Sequence, residues 1–126
     1  MIVRRVTAAA AGLLLAATTL VAGSTEANAS GSGPGWYGIW ANGVAVRADS
    51  NDECDLYPGP GNCPHVLERL NAGQIVYVHC QKAAGTVVGG NPYWLWVHTL
   101  NSNYGWIASY YTDNATNRID GLADCS

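Results

Sequence analysis

Four cysteines (Cys54, Cys63, Cys80, Cys125) and three histidines (His65, His79, His98) are the residues of this chain with the widest chemical reach. A metal centre would need them at ligand spacing. No C-x-x-C occurs, and in an extended chain the adjacent His79 and Cys80 point to opposite faces, so the usual zinc patterns are missed. An even cysteine count in a short chain reads instead as two disulfides, with three possible connectivities. Cys54 and Cys63 bracket Asp55-Leu56-Tyr57-Pro58-Gly59-Pro60-Gly61-Asn62, a segment dense in turn formers. Their local pairing leaves Cys80 for Cys125. The first bridge stiffens a loop and the second ties the tail to the core. No thiol then remains as a nucleophile. No G-x-S-x-G elbow, triad spacing or glycine-rich phosphate loop is present. Asp49, Asp52, Glu53 and Asp55 lack the calcium-loop spacing and its distal Glu, and read as a solvated polar loop. The expectation is a protein without catalytic residues, metal or cofactor.

The aromatic residues carry a different chemistry. Phe is absent, yet there are 5 Trp and 7 Tyr. Trp94 and Trp96 alternate with Leu95 and Val97, and Trp106 precedes Ile107. Paired strands in register place the three indoles on one outer surface. Tyr57 on the clamped loop and Tyr110 near the closing turn complete a candidate binding set for Pro-rich or Gly-rich peptides or for sugars. The competing reading is that the indoles simply cover a thin barrel and pack under the tail from Thr112 to Cys125.

The elements that position these residues begin after a leader. Arg4 and Arg5 precede a charge-free run from Val6 to Gly23, and Ala27-Asn28-Ala29 gives a cleavage site before Ser30: the three-part grammar of a secretory signal peptide over 1–29. The rival is a membrane anchor, since the apolar run approaches a bilayer span. Of 126 residues, 97 follow the leader, with 4 basic and 8 acidic side chains. That balance excludes phosphate neutralisation, hence nucleic acid, as the basis of binding. The expected product is a secreted, extracellular or cell-wall-associated monomer whose mature form is not membrane-embedded.

Residues 30–37 read as a flexible lead-in, 38–112 as the folded domain and 113–126 as a tail tied by a disulfide. Within the domain, Gln74 to Cys80 is β-branched and aromatic, with Val76, Val78 and Cys80 on one face and Ile75, Tyr77 and His79 on the other. Tyr93 to His98 alternates likewise. Gly105 to Ala108 is a third strand, joined to the second through the Asn101-Ser102-Asn103 turn cluster. Asn42-Gly43 suggests a hairpin within Gly38 to Arg47. His65 to Leu70, bounded by Pro64 and Gly73, has room for one helical turn. No window supports a helix of normal length. The pattern predicts an all-β fold, a small disulfide-stapled barrel of about five strands, with Val44, Val46, Leu67, Val76, Val78, Leu95, Val97 and Ile107 inward. Gly73 and Gly105 mark sharp turns or close approaches.

Four segments, in order over about residues 42–112, resemble bacterial SH3 domains. Gly43-Val44-Ala45-Val46-Arg47 is similar to their opening V-x-V-R strand. Val66 to Val78 resembles the hydrophobic strand, Gly-ended turn and V-x-V that follow. Gly90-Asn91-Pro92-Tyr93-Trp94-Leu95-Trp96-Val97 is similar to their G-N-x-x-W-x-x-V, and Tyr104 to Tyr111 to their closing G-[YW]-[IV]-x-x-x-Y, which makes Tyr111 structural. The two late cysteines resemble small secreted actinobacterial members. The long acidic clamped loop after Arg47 departs from the family's shorter Ser/Pro/Thr loop. The resemblance implies an SH3-like barrel; with the leader and the missing catalytic site, the expectation is a secreted, non-catalytic module that binds peptidoglycan peptide or an extracellular protein through the aromatic face and the Cys54–Cys63 loop. The alternative is a secreted inhibitor or effector that inserts Leu56-Tyr57-Pro58-Gly59 into a target enzyme, since a rigid loop lowers the ordering cost of binding.

Overall fold

The computed structural model describes residues 32–114 and 116–126. The leader assigned to 1–29 lies outside the described residues, as do Ser30 and Gly31. The described residues form six strands: β1 (Gly35–Gly38), β2 (Val44–Ala48), β3 (His65–Leu70), β4 (Ile75–Lys82), β5 (Trp94–Thr99) and β6 (Tyr104–Ala108). A five-residue helix, α1 (Asp52–Leu56), lies between β2 and β3, and a 3-10 turn, Ser109–Tyr111, follows β6. The six strands pair antiparallel with one another, in the order β1-β4-β5-β6-β2-β3, giving a barrel-like all-β fold.

Six strands rather than about five follow from the lead-in. Gly35 to Gly38, expected to be flexible up to residue 37, pairs with Ile75 to Val78. The flanking Gly and Pro hide a strand that holds because Tyr37 is buried in the core and its hydroxyl donates to the Gly33 carbonyl at 2.7 Å. The same pairing removes the hairpin expected at Asn42-Gly43: β1 leaves for β4, while β2 pairs with β3 and β6. The segment from His65 to Leu70 is strand β3 and not a helical turn.

The inward parity of the strands is as the alternation predicts. Val44, Val46, Val76, Val78, Leu95, Val97 and Ile107 are buried in one cluster, and Leu67 packs partly buried against it. Two tail residues join this cluster, Ile119 and Leu122. They are seated by Gln81, which is fully buried. Its amide donates to the carbonyls of Ile119 and Leu122 at 2.9 Å each, and its Oε1 accepts from Ile119 N at 2.9 Å. A buried amide with this many partners replaces the hydrogen bonds it loses to water.

Gln81 faces inward because β4 carries a bulge. Val78 pairs with Val97, but Cys80 pairs with Trp96, so His79 is an extra residue. The inserted residue shifts the parity beyond it. Cys80, expected inward beside Val76 and Val78, therefore lies opposite the outer Trp96, and Gln81 takes the inward place opposite Leu95. The same bulge overturns the expected opposition of His79 and Cys80. Disulfides join Cys54 to Cys63 and Cys80 to Cys125. Such bridges are typical of proteins from oxidising compartments. Among the described residues no helix is long and apolar enough to cross a membrane.

Candidate aromatic surface and clamped loop

The Cys54–Cys63 segment is a rigid cap. Asn51 opens α1 by accepting from Cys54 N at 2.8 Å, and its own amide donates to Asn62 O at 3.1 Å. Asn62 in turn donates to Tyr57 O at 2.9 Å, and Cys63 N to Gly59 O at 2.8 Å. Asp52 and Glu53 sit in the first helical turn, where the helix dipole favours carboxylates. Pro58 and Gly59 are buried, and Pro58 O accepts from Thr86 N at 2.9 Å. Only Leu56 and Tyr57 of the expected insertion loop stand out, each about half exposed.

This cap covers the indoles. Trp94 and Trp106 are on the outer side of the sheet, as their alternation requires, but each is only 3% exposed. They cluster with Cys54, Cys63 and Ala108. Trp94 Nε1 donates to Thr86 O at 2.8 Å and Trp106 Nε1 to Asp55 Oδ1 at 3.2 Å. Trp96 packs edge-on to Trp106, with ring centroids 5.2 Å apart, and stays partly exposed. Burial narrows the expected face of three indoles to Trp96, and among the described residues the tail reaches the buried pair only through Cys125. Trp94 and Trp106 are closed off by the disulfide loop together with Thr86, Val88 and Cys125, while Ile119 and Leu122 of the tail enter the barrel core. Large aromatics bury 150–250 Å² each, roughly, so a short loop over two of them is held by a real hydrophobic term.

The remaining two expected site residues stand apart from this cluster. Tyr57 makes no ring–ring contact among the described residues. Tyr110 packs edge-on to Trp40 at 5.2 Å, and its carbonyl accepts from Trp40 Nε1 at 2.8 Å. Tyr111 packs partly buried against both hydrophobic clusters, as a structural residue would.

The open part of the outer face lies at the other end of the same strands. His98 continues the Trp94–Trp96 row on β5. It stacks on Tyr77 of β4, with centroids 5.2 Å apart and planes at 16°. Trp36 of β1 meets both edge-on, at 5.4 and 5.6 Å. Tyr104 of β6 lies 5.0 Å from His98 and stacks on His79. Trp36 is 47% exposed and Tyr104 51%. The His79 and His98 rings meet through Nε2 and Nδ1 at 2.7 Å, so one must donate and the other accept. Burial, and then the charge of His98, hold the His79 pKa below the usual imidazole range.

Sequence reasoning passed over this cluster because its five residues come from four strands, one of them inside a Gly/Pro-rich segment. The available signal was the outer parity of Tyr77, His79 and His98. Comparison with protein-family models, curated proteins and solved structures returns no significant match.

Proposed function

We propose that this chain is a secreted, non-catalytic binding module that engages cell-wall peptide through the outer aromatic surface of β1, β4, β5 and β6. The observation that carries the reading is the five-ring cluster of Trp36, Tyr77, His79, His98 and Tyr104, left open where the neighbouring indoles are capped. Rings mounted on a paired sheet lose little conformational freedom on binding and present flat apolar faces with polar edges. The two disulfides and the leader-like N-terminus support an extracellular setting, and the ordered resemblance to bacterial SH3 domains supports a peptide ligand.

Sedimentation with purified peptidoglycan tests this. Wild-type protein should co-sediment, and Trp36→Ala or Tyr104→Ala should release it while leaving the melting curve nearly unchanged. Equal sedimentation of all three proteins, or none by the wild type, would remove the proposal.

A second reading, a secreted inhibitor of an extracellular enzyme, is favoured by the exposed Leu56–Tyr57 pair on a loop fixed by a disulfide. It predicts enzyme inhibition that is lost in Tyr57→Ala and untouched in Trp36→Ala.

A further inference from the structure

Arg47 and Arg69 account for two of the four basic residues after the leader, in a chain with eight acidic ones there. They nevertheless line the same cavity, of about 170 Å³, beside strand β2 and the clamped loop. Among the described residues neither forms an ion pair; the single salt bridge joins Arg118 and Asp120. Each guanidinium is steadied by one backbone carbonyl. Arg47 Nη1 donates to Cys63 O at 3.3 Å and Arg69 Nη1 to Gly43 O at 2.9 Å. A guanidinium has five N–H donors, so most remain available. Burial, and then the neighbouring Arg69 charge, pull the Arg47 pKa down.

Apart from Asn42, the other side chains of the wall are apolar or aromatic, among them Pro60, Val88, Trp94, Ala108 and Tyr111. A single water needs only roughly 10–15 Å³ of such space, so the cavity admits a small organic group. We infer that this cavity is a carboxylate site, in which Arg47 and Arg69 take the terminal carboxylate of a ligand whose small apolar side group packs against Val88, Ala108 and Tyr111. The planar fork of arginine matches a carboxylate in two parallel hydrogen bonds. The net negative charge of the domain disfavours multiply charged anions such as phosphate. The loop carrying Pro60 is closed by Cys54–Cys63, so the wall is formed before binding. This inference rests on the binding-module reading and names the ligand's end group: a peptide C-terminus with a small apolar residue.

The test is an NMR titration of the secreted full protein with N-acetylalanine, its methylamide and inorganic phosphate. The acid should shift the Arg47 and Arg69 side-chain Nε–H signals and the amides of Val88, Ala108 and Tyr111 saturably, and added salt should weaken it. The methylamide should not bind, and phosphate should bind more weakly than the acid. Arg69 is exposed, so Arg69→Gln should stay folded and weaken acid binding by about tenfold or more. Absence of these shifts, equal binding of the methylamide, or phosphate binding as tightly as the acid overturns the carboxylate assignment. If the acid fails while wild-type protein still sediments with peptidoglycan through Trp36, this inference falls and the binding-module reading stands.

Discussion

The indole N–H of Trp106 donates to Asp55 Oδ1 at 3.2 Å, joining strand β6 to the helix of the clamped loop. An aromatic residue that alternation places on the outer face is thereby made part of a second, smaller core. Asp55→Ala leaves a largely buried indole N–H without its partner, at a cost of about 1–3 kcal/mol. The loop should lift from Trp94 and Trp106, and tryptophan fluorescence should move to longer wavelength before global unfolding. An unchanged emission spectrum and midpoint would show that the cap is held by the disulfide alone.

The two bridges should differ in how they stabilise. Closing the longer loop, Cys80 to Cys125 across 45 residues, is worth about 4 kcal/mol on the chain-entropy model, and closing Cys54 to Cys63 across 9 is worth about 2.5–3 kcal/mol. Burial changes that order. Cys54 and Cys63 are fully buried against Trp94 and Trp106, so replacing both by Ser also puts two hydroxyls into an apolar cluster. The Cys54/Cys63 double variant should therefore melt no higher than the Cys80/Cys125 double variant, despite its shorter loop. Calorimetry on both decides. A clearly milder loss at Cys54/Cys63 would mean that loop length governs.

Gln81 holds the tail in the barrel. Gln81→Leu conserves much of the volume but removes the partners of Ile119 N and Leu122 O and one of the two donors to Ile119 O, which keeps Leu122 N. Each orphaned buried backbone group costs about 1–3 kcal/mol, so the variant should lose several kcal/mol or release the tail. Hydrogen exchange at Ile119 and Leu122 reads this directly. Protection equal to wild type would show that the Cys80–Cys125 bridge and the backbone bonds of Gln81 to Ala123 and Cys125 suffice.

How far the sequence carries can be judged from β4 and β5. Alternation along Trp94 to His98 assigns every side chain to its correct face, because the strand is regular. Along β4 the same rule holds through Val78 and then fails, because the bulge at His79 is a property of the pairing with β5 and leaves no mark in composition. The error places Cys80 inward and leaves Gln81 without a role. Ile119 and Leu122 are equally hard to see: two apolar residues in a polar tail have no period, and their seat is made by distant partners, the buried amide of Gln81 among them. The burial of Trp94 and Trp106 escapes alternation for a related reason. Parity tells which side of a sheet a ring occupies, but not which part of that side a distant loop will cover.

The His79–His98 contact predicts a pH dependence, with Glu68 acting in a lower window. A base whose folded pKa is depressed binds fewer protons folded than unfolded between the two values, so stability rises with pH there. The contribution of His79 should be complete above the ordinary imidazole pKa, about 6.5, and should fade as pH drops through its lower folded value. Glu68 behaves as a depressed acid. Burial alone would raise its pKa, but hydrogen bonds from Thr99 Oγ1 at 2.6 Å, Asn103 Nδ2 at 2.7 Å and Asn101 Nδ2 at 3.0 Å outweigh it. Its contribution should be intact above the ordinary carboxylate pKa and lost as pH falls through the lower folded value. Melting temperature should therefore fall in two stages on acidification, the first from just below neutrality and the second below about pH 4.3. His79→Gln should flatten the first stage and leave the second, whereas Glu68→Gln should do the reverse. Both windows surviving in His79→Gln would mean that the ring pair carries no charge penalty and that another group sets the upper transition.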